Sequence, residues 1–246
     1  MALAAGNALA DDAERHQKWQ DILTAYVVEA PDGVNRFDYG GLKDTDEDVA
    51  KLDAYLASFE DMNFDTLTRD EQFAAWSNVY NALTVKHIIG RYPLRSIRSG
   101  YIVGPWKRVK TTVNGREISL DSIENKVLRV EFDDPRLHYA INCASYGCPN
   151  LRKAAWVADT LEQDLDAAAR DFINHPRAVS IRPRGGLEVS TIYKWFKEDF
   201  GGSEERVIAH LLDYANPILA EQIRANADIK KHAYDWSLND ATDTEG

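Results

Sequence analysis

Asp134-Pro-Arg-Leu-His138-Tyr-Ala-Ile-Asn142-Cys143-Ala-Ser-Tyr-Gly-Cys148-Pro149-Asn-Leu151 is the stretch on which the reading of the fold turns. Asp134-Pro135 breaks the chain, and residues 137–142 then alternate as a strand does. Leu137, Tyr139, Ile141 and Cys143 share an apolar face; His138, Ala140 and Asn142 share the other. A tight turn follows, then a long helix over about 149–174. Pro149 suits the first helical position, which makes Cys148 the N-cap. There the helix dipole and its unsatisfied N–H groups stabilise a thiolate and can receive a developing oxyanion. Cys143 falls among core residues, where a cysteine is a small inert hydrophobe. A strand running into a helix start brings His138 towards Cys148, the pair that nucleophilic thiol chemistry needs. A third group must orient the imidazole. The candidates are Glu124, on the preceding helix, and Asn142, on the strand face of His138.

Other readings of the same residues stand beside this one. Cys143 and Cys148 can close a short disulfide loop, with stabilisation of about 2 kcal/mol or more if unstrained. They can also exchange redox states as a dithiol pair. Cys143, Cys148 and His138 offer three metal ligands, but no C-x-x-C or H-x-x-x-H spacing supports that site. No metal or other cofactor is therefore assigned.

Upstream, the chain is helical. Trp19, Ile22, Leu23 and Tyr26 fall on one helical face, as do Val49, Leu52, Leu56 and Phe59. Thr68 with Glu71 forms a capping box for a third helix, which runs through Phe73, Trp76, Tyr80, Leu83 and His87 until Gly90 and Pro93 stop it. Asn78 and Asn81 lie one turn apart within it, amid Trp and Tyr. Asn78, Tyr80 and Asn81, with Cys143, are candidate substrate contacts; the plainer role for the two asparagines is to hold an adjacent loop backbone.

A hairpin is expected over 107–113 and 116–120, turning at Asn114-Gly115. Ser119 or Asp121 then caps a helix carrying Ile123, Val127 and Leu128. Downstream come a second hairpin (179–182 and 187–190), helices over 192–221 and a strand near 229–234. The tail, Tyr234-Asp-Trp236-Ser-Leu-Asn-Asp240, either covers a cleft or simply docks. Helices and antiparallel strands are segregated, which gives an α+β fold: one domain over 11–246, helices packed on a small, mainly antiparallel sheet.

The 246 residues carry 40 Asp plus Glu against 29 Lys plus Arg, a net charge of −11. That acidic balance argues against nucleic acid, which demands a concentrated cationic surface. It also disfavours anionic membrane, a local basic patch excepted. No run reaches the roughly 20 apolar residues of a bilayer span, so no integral membrane segment is expected. Residues 1–10 resemble the end of a secretory signal around an A-x-A site, with a frayed Ala-rich terminus as the alternative. The first reading makes the protein periplasmic or secreted; the second leaves it cytoplasmic.

Four motifs then resemble one family, the domain of unknown function 547. They are W-x-N-x-Y-N-A-L from Trp76, S-L-D-x-I-E from Ser119, D-P-R-x-H-x-A-x-N-C-x-x-x-x-C-P-x-L from Asp134, and Y-D-W-S-L-N-D from Tyr234. The resemblance implies a papain- or transglutaminase-like thiol fold, with thiol or glutathione chemistry. His138 precedes Cys148, whereas papain-like enzymes place the cysteine first, so a permuted arrangement is implied. Two functions of different class follow. One is an extracytoplasmic cysteine hydrolase or acyltransferase acting on peptide or amide bonds, with Cys148 attacking and His138 as base. The other is a non-catalytic module binding a peptide or small thiol, with Cys143 and Cys148 bonded; a thiol-redox protein stands beside it.

Overall fold

Apolar residues at helical spacing assemble the first half of the molecule around one long buried helix. The computed structural model describes residues 2–244, with side chains from Asp12 to Thr242. Helix α1 (Ala2–Tyr26) places Trp19, Ile22 and Leu23 against α3 (Asp46–Ala57), whose Leu52 and Tyr55 are buried in return. A two-stranded ribbon, β1 (Val27–Val28) with β2 (Arg36–Phe37), and the short helix α2 (Tyr39–Lys43) connect them. Side chains before Asp12, on which the signal reading falls, lie outside the described residues.

Helix α4 (Arg69–Ile89) begins with the expected capping box: Thr68 accepts from the Glu71 N–H and the Glu71 carboxylate accepts from the Thr68 N–H. It is enclosed on nearly all sides, which explains its weak amphipathicity. The hairpin β3 (Lys110–Val113) and β4 (Arg116–Ser119) turns at Asn114 and Gly115, both at positive φ, as a type I′ turn requires. Ser119 caps α5 (Leu120–Ser122). The chain then winds more loosely into a ten-residue π-helix, Ile123–Phe132. Such widened turns cluster at functional sites.

Two expectations are corrected at 137–174. Residues 137–142 form no strand: α6 (Leu137–Ala140) is a single helical turn, opened by an Asx turn in which Asp134 accepts from the Arg136 N–H. Leu137 and Ala140 join the first core, whereas Tyr139 joins a second one. A segment buried on every side shows no diagnostic periodicity, and its accidental alternation misleads. Nor does a helix start at Pro149. The chain stays irregular until a 3-10 turn (Ala158–Thr160) leads into α7 (Leu161–Ile173), because side chains take its hydrogen bonds. Asn142 Nδ2 donates to the Pro149 carbonyl, Gln20 accepts from the Ala155 N–H, Asn78 pairs with both backbone groups of Trp156, and Asp12 accepts from the Ala158 N–H.

Helix α7 belongs to both cores, with Leu161 and Leu165 in the first and Ala169, Phe172 and Ile173 in the second. The second core contains a three-stranded sheet ordered β5 (Val179–Ile181), β6 (Leu187–Ser190), β7 (Ile229–Ala233). β5 and β6 are antiparallel, while β7 runs parallel to β6. The crossover between them carries α8 (Ile192–Trp195), a 3-10 turn (Lys197–Phe200), α9 (Glu204–Tyr214) and α10 (Pro217–Ala225). The fold is α+β, its strands divided among three small sheets. Among the described residues, no helix is long and apolar enough to cross a membrane.

Candidate active site: two thiols in an aromatic cavity

The loop between the two cysteines is fixed from inside and from above. Asn142 accepts from the Ala144 N–H at 2.8 Å and donates to the Pro149 carbonyl at 2.8 Å, closing residues 142–149 into a ring. Ala144 takes a left-handed conformation, φ +59°, a strain of the kind stored at functional sites. The tail lies across the loop: Tyr146 donates to the Ser237 carbonyl and Gly147 to that of Asp235. A Cβ on Gly147 would stand 2.8 Å from the Asp235 nitrogen, so only glycine admits this approach. The tail therefore docks, and it also delivers Tyr234 and Trp236 to the cavity wall.

This ring brings the Cys143 and Cys148 sulfurs to 2.8 Å, both as free thiols. The Tyr234 hydroxyl lies 3.2 Å from the first and 3.0 Å from the second. The Cys143 N–H also donates to the Cys148 sulfur, at 3.1 Å. Burial opposes ionisation of Cys148, yet the Cys143 thiol, the Tyr234 hydroxyl and backbone donors outweigh it and bring its pKa down to about 7. The neighbouring sulfur and burial push Cys143 well above the ordinary thiol value. The downward shift at Cys148 comes from these local donors and not from a helix terminus. The burial assignment is reversed as well: Cys148 is the deeply buried thiol and Cys143 the half-buried one.

His138 faces the same cavity but turns elsewhere. Its Nε2 lies 2.7 Å from Asp199, and its ring stacks on Phe196 at 4.2 Å. Arg129, from the π-helix, donates to both Asp199 oxygens at 2.6 Å. Burial works against the Asp199 charge, but His138 and Arg129 outweigh it and hold its pKa near 2. Burial lowers the His138 pKa despite Asp199. No hydrogen bond joins His138 to Cys148 among the described residues. The residue orienting the imidazole is Asp199, in place of Glu124 or Asn142.

Glu124 also lines the cavity, accepting from the Tyr80 hydroxyl at 3.1 Å. Burial raises its pKa to about 7, against the opposing effects of Tyr80 and Arg129. Tyr80 lines the cavity beside it. Asn78 and Asn81 do not. Asn78 holds Trp156, and Asn81 donates to the Ala140 carbonyl and accepts from the Asn142 N–H. Their substrate-contact assignment gives way to the plainer role as backbone clamps.

The cavity encloses about 690 Å³. Trp106, Trp195, Phe196 and Trp236 form much of its wall, with Lys107 and Arg108 also lining it. That size and lining suit a small organic ligand or the tip of a peptide. Sequence reasoning missed Asp199, Arg129, Trp195 and Phe196. No signal pointed to them, since Asp199 stands 61 residues from His138 and meets it only through tertiary packing.

An α+β protein with a paired-thiol cavity between two cores is the class these features define. Residues 64–173 match the family model described as Protein of unknown function, DUF547, the family that the motifs resemble. That segment contains Tyr80, Glu124, His138 and both cysteines, and stops short of Asp199 and the tail that brings Tyr234. No curated protein and no solved structure matches the chain.

Proposed function

We propose that the chain carries out thiol–disulfide exchange in this cavity, with Cys148 as attacking thiolate and Cys143 as resolving thiol. The observation that carries the reading is the 2.8 Å sulfur pair whose members are driven apart in acidity. Cys148 attacks one sulfur of a disulfide R–S–S–R′, forming a mixed disulfide with R–S and releasing R′–S⁻. Cys143 then gives its proton to the departing thiolate and attacks the Cys148 sulfur, releasing R–S⁻. The protein dithiol has lost two electrons and the substrate disulfide has gained them. A small thiol reductant restores the dithiol by the reverse exchange. The aromatic walls suit the disulfide of a small thiol or of a peptide, and the chemistry needs no nucleic acid. A periplasmic or secreted setting accords with it, since disulfides persist there.

The test is equilibration of the full chain in buffers of graded thiol-to-disulfide ratio, with acid-quenched thiol counting. Reversible interconversion of a two-thiol and a zero-thiol form is expected. A pair that stays reduced in fully oxidising buffer, while the chain remains folded, contradicts the reading.

A second reading, acyl transfer by Cys148 with His138 as base, is favoured by the Asp199-oriented imidazole in the same cavity. It requires His138 to reach the sulfur or its leaving group. Under acyl transfer, Asp199→Asn lowers turnover of an activated ester or amide by about 10² or more. Under exchange it leaves the rate of disulfide reduction within about threefold.

A further inference from the structure

Beside the cavity lies a loop that the thiol chemistry does not explain. Ile102 is 95% exposed and Val103 is 83% exposed, far above what a buried-core role allows. They sit between Gly100 and Gly104, both at positive φ, and Tyr101 and Trp106 flank them. Cations surround this tip. Arg91 and Arg108 lie 4.6 Å and 5.8 Å from the Tyr101 ring centre, and Arg98 stands over Trp236 at 4.9 Å. Arg91, Arg95, Arg98, Lys107 and Arg108 are exposed, and none forms an ion pair among the described residues. Between Glu71 and Glu117 the sequence holds eight Lys or Arg and no Asp or Glu, in a chain of net charge −11. Two of the eight, Lys86 and Lys110, pair with Asp53 and Glu117, and the others leave a local basic surface on an acidic chain.

We propose that the loop 98–108 is a peripheral membrane anchor: Ile102 and Val103 enter an anionic leaflet while Arg91, Arg95, Arg98 and Lys107 meet its headgroups. A projecting aliphatic tip collared by Tyr, Trp and Arg matches the layering of a bilayer surface, apolar below, amphipathic at the boundary, anionic above. An acidic protein partner would match the charge alone and leave the two aliphatic side chains unexplained. Val103, Gly104, Trp106, Lys107 and Arg108 also line the thiol cavity, so the docked protein presents that cavity to the bilayer surface. The anchor is independent of the exchange reading, since the thiols take no part in it.

The test is co-sedimentation of the full chain with vesicles of phosphatidylcholine alone and with about one third phosphatidylglycerol. Binding to the anionic vesicles only, lost in high salt, is expected. Ile102→Ser with Val103→Ser, at positions too exposed to affect folding, should weaken partitioning by about tenfold or more. Cys148→Ser should bind as the unaltered chain does. No binding to anionic vesicles at low salt overturns the proposal. So does undiminished binding by the double variant, or tighter binding to soluble poly-glutamate than to vesicles, which would indicate an acidic partner.

Discussion

The Cys143 and Cys148 sulfurs stand 2.8 Å apart with the Tyr234 hydroxyl in contact with both. Two thiolates cannot share that space, so the first ionisation belongs to Cys148 and suppresses the second. The proton kept on Cys143 is itself a donor to the Cys148 sulfur.

Tyr234→Phe keeps the ring among Trp195 and Trp236 and removes one donor to the thiolate. A hydrogen bond to a charged group contributes about 1.5–3 kcal/mol, which corresponds to a pKa rise of about one unit or more. The pH profile of iodoacetamide labelling at Cys148 should shift upward accordingly. An unmoved profile would remove Tyr234 from the activation.

Glu124 makes stability pH-dependent in a known direction. Its folded pKa of about 7 lies above the unfolded value of 4.5, so the folded state holds the proton more tightly between them. Its contribution is full below about 4.5, declines as pH rises through 7, and is then lost, an effect of order 3 kcal/mol. Glu124→Gln should flatten that part of the profile in urea titrations between pH 5 and 8. A slope that persists unchanged in the variant would assign it to another group.

Asn78→Ala deletes a side chain that pairs with both backbone groups of Trp156. Leaving those buried groups unpaired should cost about 2–4 kcal/mol. Denaturant unfolding measures it. Cys148 labelling of the folded variant should be retained, since Asn78 lies outside the cavity.

Gly147→Ala places a methyl against the Asp235 backbone, which cannot yield as a side chain tip does. The tail must move away, carrying Tyr234 and Trp236 with it. The expected result is a lower midpoint of thermal unfolding together with an upward shift in the Cys148 pKa. A variant with ordinary stability and an unchanged pKa contradicts the tail's role.

The sequence was most legible where local chemistry decides structure. The Thr68–Glu71 capping box and the Asn114-Gly115 turn involve neighbours in the chain, and both form as read. The motif around the cysteines led to the cavity, but the local structure it implied at Cys148 is not the one that forms. The spacing predicts a helix terminus at Cys148, whereas side chains from α1 and α4, with Asn142, hold residues 149–157 out of a helix. Competition of that kind depends on partners 7 to 146 residues away and leaves no local trace. Asp199 escaped for the same reason. Tyr234 lay within the tail motif, yet its contact with sulfur required the tail's path across Gly147.

In the proposed exchange Cys148 attacks and Cys143 resolves. Intact-mass analysis of the single variants after exposure to a small aromatic disulfide tests it most directly. Cys143→Ser should accumulate a stable adduct of one mixed disulfide at Cys148, whereas the unaltered chain releases both thiol equivalents and ends as an intramolecular disulfide. Cys148→Ser should react more slowly, because burial still opposes ionisation of its remaining thiol. A rapid adduct on Cys148→Ser, with none on Cys143→Ser, contradicts the assignment.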